Sequence, residues 1–341
     1  MLIKKNASHR YDGLDFAKFF CAFMVICIHM PYYGKIYFEP LTRFAVPIFF
    51  MITGYFYSTI KQNNREWAQI RKSIVLFLYS NLLYLVWKIT RCVLLGESIS
   101  DLIDSILSIK SWIKFICFNE SFFAEHLWYL SALIYVLVIV LVVDMHSSRE
   151  KLYRFIPLFL LTNIVFGNYS TIIFGKRLPL VLTRNFMFCG LPFFLIGDAL
   201  RKKQNKLNKK QLLVITISSV VLTIAENILL LNTGAVFNAD CFIATPFLAY
   251  SLFALSLENH AVSNNPFLFK ISQLGKNTST IIYIIHPIAI PVAGKIVNIF
   301  SGYFPVIHAV WYYTAPLVIL ILCTILALCY NMLHDRFNHI I

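Results

Sequence analysis

Long apolar runs separated by short polar or basic stretches set the pattern of this chain. The run "FFCAFMVICI" (19–28) is one of many. Together the runs predict ten helical spans, at about 14–33, 43–60, 73–95, 127–145, 152–168, 186–200, 212–232, 241–258, 279–299 and 306–331. Most approach the roughly 20 apolar residues that a helix needs to cross a hydrocarbon core. They are continuously apolar rather than alternating, which argues against a membrane β-barrel. The fifth and sixth spans are short, and the sixth carries Pro192. A membrane helix tolerates such a proline when a neighbour satisfies the carbonyl it frees. Between the third and fourth spans, Leu102, Ile103, Ile106, Ile109 and Ile113 recur at intervals of one helical turn. Residues 97–125 therefore read as an amphipathic segment lying at the interface. The expected fold class is all-α: one polytopic transmembrane domain over 1–341, with neither an appended soluble domain nor an internal repeat.

Composition agrees, with 59% hydrophobic and only 13% charged residues; a soluble domain carries about 25% charged residues. The net charge of +14 does not point to nucleic acid, because the cations cluster between apolar spans, as in "RKKQNKLNKK" (201–210). With the N-terminus inside, nineteen of the 30 Lys and Arg residues fall on the inner side: Lys4, Lys5 and Arg10 in the tail, four in 61–72, three in 149–154, six in 201–210, two in 259–278 and Arg336. Ten fall on the outer side. This bias predicts that both termini are cytoplasmic, and a basic inner face can also attract an anionic substrate. The eight cysteines show no C-x-x-C spacing, so neither a metal site nor a disulfide framework is expected. The first span has no small-residue cleavage site and reads as a retained helix rather than a signal peptide.

Ionisable side chains inside such runs cost roughly 2.5–3.5 kcal/mol each at mid-membrane and tend to mark function or a paired contact. Lys18 and His29 are eleven residues apart, which puts them on one helix face, roughly 16 Å apart along the axis. They suit a pathway for an elongated anionic substrate, with an imidazole able to move protons near neutral pH. Equally, Lys18 can snorkel to the interface beside Asp15 while His29 caps the helix. His286 precedes Pro287 within the ninth span, as either a core histidine or a site residue. Glu226, mid-span in "VVLTIAENILLL" (220–231), is expected to line a polar cavity, hydrogen-bonded when protonated or paired with a cation from another helix. Arg43 and Arg184 open their spans on the outer side as interface anchors. His126 and Trp128 open the fourth span, where a tryptophan belongs to the aromatic belt. Arg71 and Lys72 close the second inner loop, and His308 and His339 are peripheral. No G-x-S-x-G, Walker A or H-E-x-x-H motif occurs, so transfer chemistry would rest on a histidine.

Five stretches, "LDFAKFFCAFMVICIH" (14–29), "RFAVPIFFMITGYF" (43–56), "HLWYLSALI" (126–134), "GLPFFLIGDAL" (190–200) and "LGKNTSTIIYIIHP" (274–287), in this order, resemble the membrane-bound acyltransferase family 3. That family comprises ten-helix O-acyltransferases of surface polysaccharides and related glycans. The second stretch also resembles the membrane domain of vancomycin-resistance-type serine racemases, of the same superfamily. The resemblance implies that His29 is the catalytic residue and Lys18 its companion, by the family's basic-residue-then-histidine signature. It further implies acetyl-CoA as donor, held at a basic inner face by Lys18, Arg71 and Lys72. The acceptor implied is an envelope glycan or its lipid-linked precursor, and no metal is implied. The family's two loop arginines separated by two residues are not reproduced here. Arg71 is present, but Ala68 stands three before it, so Arg65 or Lys72 is the expected substitute. Arg43, His126, Trp128, Glu226 and His286 remain candidates for acceptor contact. The protein is expected in the cell membrane. The alternative function is a transport module for a small polar solute such as an amino acid.

Overall fold

The computed structural model describes residues 11–338 apart from 97, 204–206, 235–240 and 259. Lys4, Lys5, Arg10, Lys206, His339 and the Leu102 side chain lie outside the described residues. Among those described, all regular structure is helical: fifteen α-helices with short 3-10 and π turns between them. The chain divides into two compact units, residues 1–35, 209–213 and 251–341 forming one and 36–208 with 214–250 the other.

In the first unit, α1 (Asp12–His29) packs along α14 (Pro266–Ser301) and α15 (Pro305–Asn338). The buried face of α14 is a stripe of mostly small residues at helical spacing, among them Ser272, Gly275, Ser279, Ala289 and Ala293. Small side chains let membrane helices approach closely. At Gly275 the approach is extreme, since a Cβ there would sit 1.9 Å from the Asp15 carbonyl oxygen. Above that contact Ala22, Ile26, Ile282, Ala315, Ile319 and Cys323 close the apolar core. Asn265 starts α14 by accepting hydrogen bonds from the Phe267 and Leu268 amides, and the helix then runs unbroken through Pro287 and Pro291. The short α13 (His260–Ser263) precedes it.

The second unit contains α2 (Lys35–Thr42), α3 (Ala45–Gln62), α4 (Glu66–Leu95), α5 (Ile99–Leu107), α6 (Ile109–Phe118), α7 (Trp128–His146), α8 (Ile156–Phe166), α9 (Ser170–Phe174) and α10 (Leu191–Lys203), with most of α11 (Lys209–Asn232) and the start of α12 (Thr245–Leu257). Its centre is the crossing of α3 and α10, where a Cβ on Gly54 would meet the Phe194 carbonyl oxygen at 1.9 Å and one on Gly197 the Met51 carbonyl oxygen at 2.0 Å. Fully buried Phe50, Phe193 and Phe194 surround it. Pro192 frees the Phe188 carbonyl, and Asn163 of α8 donates to that oxygen at 3.2 Å. This is the neighbour that a proline at this place requires.

Among the described residues, six helical stretches are long and apolar enough to cross a membrane: Lys35–Gln62, Glu66–Leu94, Glu125–His146, Lys209–Asn232, Pro266–Ser301 and Pro305–Arg336. They correspond to six of the ten spans marked in the sequence. Of the others, 14–33 became the 18-residue α1, which carries Asp12, Asp15 and Lys18. The span at 152–168 contains an 11-residue helix behind a 3-10 turn, 186–200 opens on a π turn at Phe186–Gly190, and 241–258 holds a 13-residue helix. Unbroken hydropathy in the sequence concealed these interruptions. The segment 97–125 differs likewise. It is two helices, α5 and α6, parted at Ser108 by an extended backbone (φ −67°, ψ 121°), with Ile103, Ile109, Trp112 and Ile113 exposed.

Candidate active site

His29 is the last residue of α1, whose 18 residues form one uninterrupted helix, so its spacing from Lys18 is that of a regular helix. The chain turns extended at Met30. Lys35 folds back, its Nζ donating to the Ile28 carbonyl oxygen at 2.8 Å. A cation at that position satisfies a terminal carbonyl and complements the negative end of the helix dipole. The His29 side chain is exposed, while His286 is fully buried, and their ring centroids are 5.1 Å apart. Two candidates far apart in sequence thus lie side by side. The Tyr283 ring lies 6.3 Å from that of His286. His286 Nδ1 is 3.1 Å from the Ile282 carbonyl oxygen; a carbonyl only accepts, so this nitrogen carries the proton and Nε2 keeps the lone pair in the neutral ring. The pair therefore offers an accessible imidazole backed by a buried one of fixed tautomer. Lys18 is half-buried and donates to Asp15 Oδ1 at 2.8 Å, the local ion pair that the sequence allowed.

The remaining candidates belong to the second unit. Arg65, Arg71 and Lys72 are exposed at the start of α4, without a carboxylate partner among the described residues. Three such cations within eight positions fit the phosphates of an anionic ligand in donor chemistry. Arg43 is buried and paired with Glu39. His126 is buried in the 3-10 turn before α7, edge-on to the Tyr84 ring at 4.9 Å. Trp128, at the start of α7, lies 6.4 Å from the Phe50 ring. Glu226 lines a cavity of about 390 Å³, and its carboxylate accepts from the Ile243 amide at 2.9 Å and the Tyr169 hydroxyl at 3.1 Å. The expectation of a polar cavity needs correction here. The wall is mostly apolar, with Ile172, Leu222, Leu229 and Phe247 among its residues, and the acid is satisfied by an amide and a phenol rather than by a cation.

The family described as an acyltransferase domain matches residues 11–332. The chain belongs to this acyltransferase family. Its long apolar helices suit a multi-pass membrane protein. An amino-acid racemase of Enterococcus faecalis is 26% identical over 326 residues, covering 88% of this chain and 43% of the racemase. The chain thus spans less than half the length of that curated relative. No solved structure gives a significant match.

The second unit also contains a polar cluster that the sequence did not single out. Arg149, in the 3-10 turn Arg149–Phe155, donates to both oxygens of Asp198 at 2.9 and 3.0 Å, to Ser58 Oγ at 2.9 Å and to Asp144 at 2.6 Å. Lys61 and Tyr153 complete the set, on Asp144 at 2.9 Å and on Asp198 at 2.6 Å. Arg149 and Asp198 are buried. Burial opposes the guanidinium's charge, but the hydrogen bonds and charge of Asp198, joined by Asp144, outweigh it and hold its pKa above the ordinary arginine value. In the sequence Arg149 was one more loop cation. The signal that could have found the cluster was Asp198, an acid inside the apolar stretch "GLPFFLIGDAL".

Proposed function

We propose that this acyltransferase moves an acetyl group from cytoplasmic acetyl-CoA to a hydroxyl of a capsular, exopolysaccharide or other envelope glycan, free or lipid-linked, at the cell membrane. The observation that carries this reading is the accessible His29 ring set against the buried His286, on the same helix as Lys18. In this reading the acceptor hydroxyl gives its proton to His29 and its oxygen attacks the thioester carbonyl. The carbon–sulfur bond then breaks and releases the thiolate. If the acyl group instead passes through His29, the imidazole nitrogen makes the first attack and the hydroxyl the second. Lys18, Arg65, Arg71 and Lys72 supply positive charge for the donor's phosphates, Arg65 or Lys72 standing in for the absent second arginine. Arg43, His126, Trp128 and Glu226 are the candidates for acceptor contact, while His286, fully buried behind the His29 ring, acts through His29. The test is His29→Ala: the variant reaches the membrane in normal amount, and glycan acetylation read by NMR of the polysaccharide disappears. Near-normal acetylation would remove His29 from this role.

The relative named an amino-acid racemase supports a second reading, in which the spans serve a small polar solute such as an amino acid. Uptake of labelled serine into proteoliposomes, measured beside acetyl-CoA consumption, separates the two. Acetyl-CoA consumption without uptake supports transfer, and uptake without consumption supports transport.

A further inference from the structure

The second unit contains a groove of about 580 Å³ that none of the proposed chemistry uses. Three helices each contribute one stripe to it: Leu160 and Ile164 of α8, Ala199 and Lys203 of α10, Phe247 and Tyr250 of α12. Its walls are almost wholly apolar, yet Phe247 is 60% exposed. In an aqueous protein such stripes would close on one another; beside a bilayer the concavity is solvated by hydrocarbon instead. Its volume falls within the roughly 300–1,000 Å³ usual for ligand sites.

Charge identifies the occupant's other end. Lys203 is the last residue of α10 and lines the groove. Its neighbour Lys202 is committed to Glu150 at 2.6 Å, and Arg149 and Lys61 are committed to Asp144 and Asp198 or to Asp144 alone. Lys203 rests its Nζ 5.6 Å from the Tyr153 ring centroid and has no carboxylate partner among the described residues. Arg154, two positions before the groove residue Ile156, lies over Phe155 and likewise has none. Around this groove the acids are already occupied and two cations are left for a ligand. An apolar slot between membrane helices with basic residues at its end is the pattern that holds anionic lipid.

We infer that the groove binds an acyl chain of an anionic glycerophospholipid, with the lipid phosphate on Lys203. The test uses the full chain in vesicles with phosphatidylglycerol or phosphatidylcholine bearing the same photoreactive acyl chain, followed by peptide mapping. Phosphatidylglycerol is expected to label 156–164, 196–203 and 243–250 several-fold more than phosphatidylcholine. Lys203→Glu, on the exposed end of α10, should reduce that labelling to the phosphatidylcholine level. Ala199→Trp, which fills the groove, should abolish it there and leave labelling elsewhere unchanged. Equal labelling by both lipids, or labelling spread evenly and indifferent to Ala199→Trp, would overturn the inference. So would displacement of the label by an equimolar polyprenyl phosphate, since the occupant would then be an isoprenoid carrier.

Discussion

His29 and His286 stand side by side, one exposed and one buried. A solvent-accessible imidazole can exchange protons with a ligand, whereas a fully buried ring 5.1 Å away can act only through its neighbour. In the proposed reaction His286 is thus a positioning residue. Replacing it by Phe keeps the ring volume and removes both nitrogens, and should lower the turnover number of acyl transfer about 100-fold, the order expected when a reacting group is misplaced by about 1 Å. Donor KM and protein level should hold. His286→Asn, which retains a donor for the Ile282 carbonyl, should recover part of the loss, as a purely space-filling histidine would not. Unchanged turnover in both variants would remove His286 from the site. The Lys18–His29 relation was legible in the sequence because both residues lie on one helix, where spacing fixes geometry. The pairing with His286 was not, because only the packing of α1 on α14 brings these rings together.

Among the elements, the α3–α10 crossing is the tightest contact in its unit. Gly197→Ala would force a Cβ against the Met51 backbone carbonyl, 2.0 Å away, and backbone cannot step aside as a flexible side chain can. The helix-propensity gain of alanine, at most about 1 kcal/mol, should be outweighed by an overpacking cost of about 1–3 kcal/mol. Thermal unfolding in detergent should show a lower Tm for this variant. Gly294→Ala, with nothing within 4 Å of its added Cβ, should show no loss. Equal Tm values would refute the account of the crossing. The existence of most helices could be read from the runs, because continuous apolarity is a strong signal in itself. The breaks at Ser108, Phe155 and Phe186 could not, because a bend in an apolar run is set by partners such as Asn163 on another helix.

At the scale of the whole molecule, polar groups are few and concentrated. The Arg149 cluster ties α3, α7, α10 and the 149–155 turn through one guanidinium. Arg149→Met leaves Asp198 buried without its main counter-charge and Asp144 with Lys61 alone, a loss of about 3–5 kcal/mol. A large fall in Tm should follow, together with early protease cleavage in the 147–155 region. A Tm within a degree or two of the parent would show the cluster to be dispensable. The sequence exposed the number of cations in that loop but not their fate, since hydropathy and charge counts carry no record of which acid a side chain meets. Stiffness is unevenly distributed too. α14, with 36 residues, is about 54 Å long, but Pro287 and Pro291 lack the N–H that bonds four residues back, so the turn that contains His286 and the turn after it are each short of one backbone bond. α1 is firm along its length and stops at His29. The two rings therefore sit where the regular helix ladder gives out, one at the last residue of α1 and one in a turn short of a bond. A shift of that single turn would change the spacing of the rings, while the small-residue seam around Gly275 holds α1 and α14 in backbone contact further along.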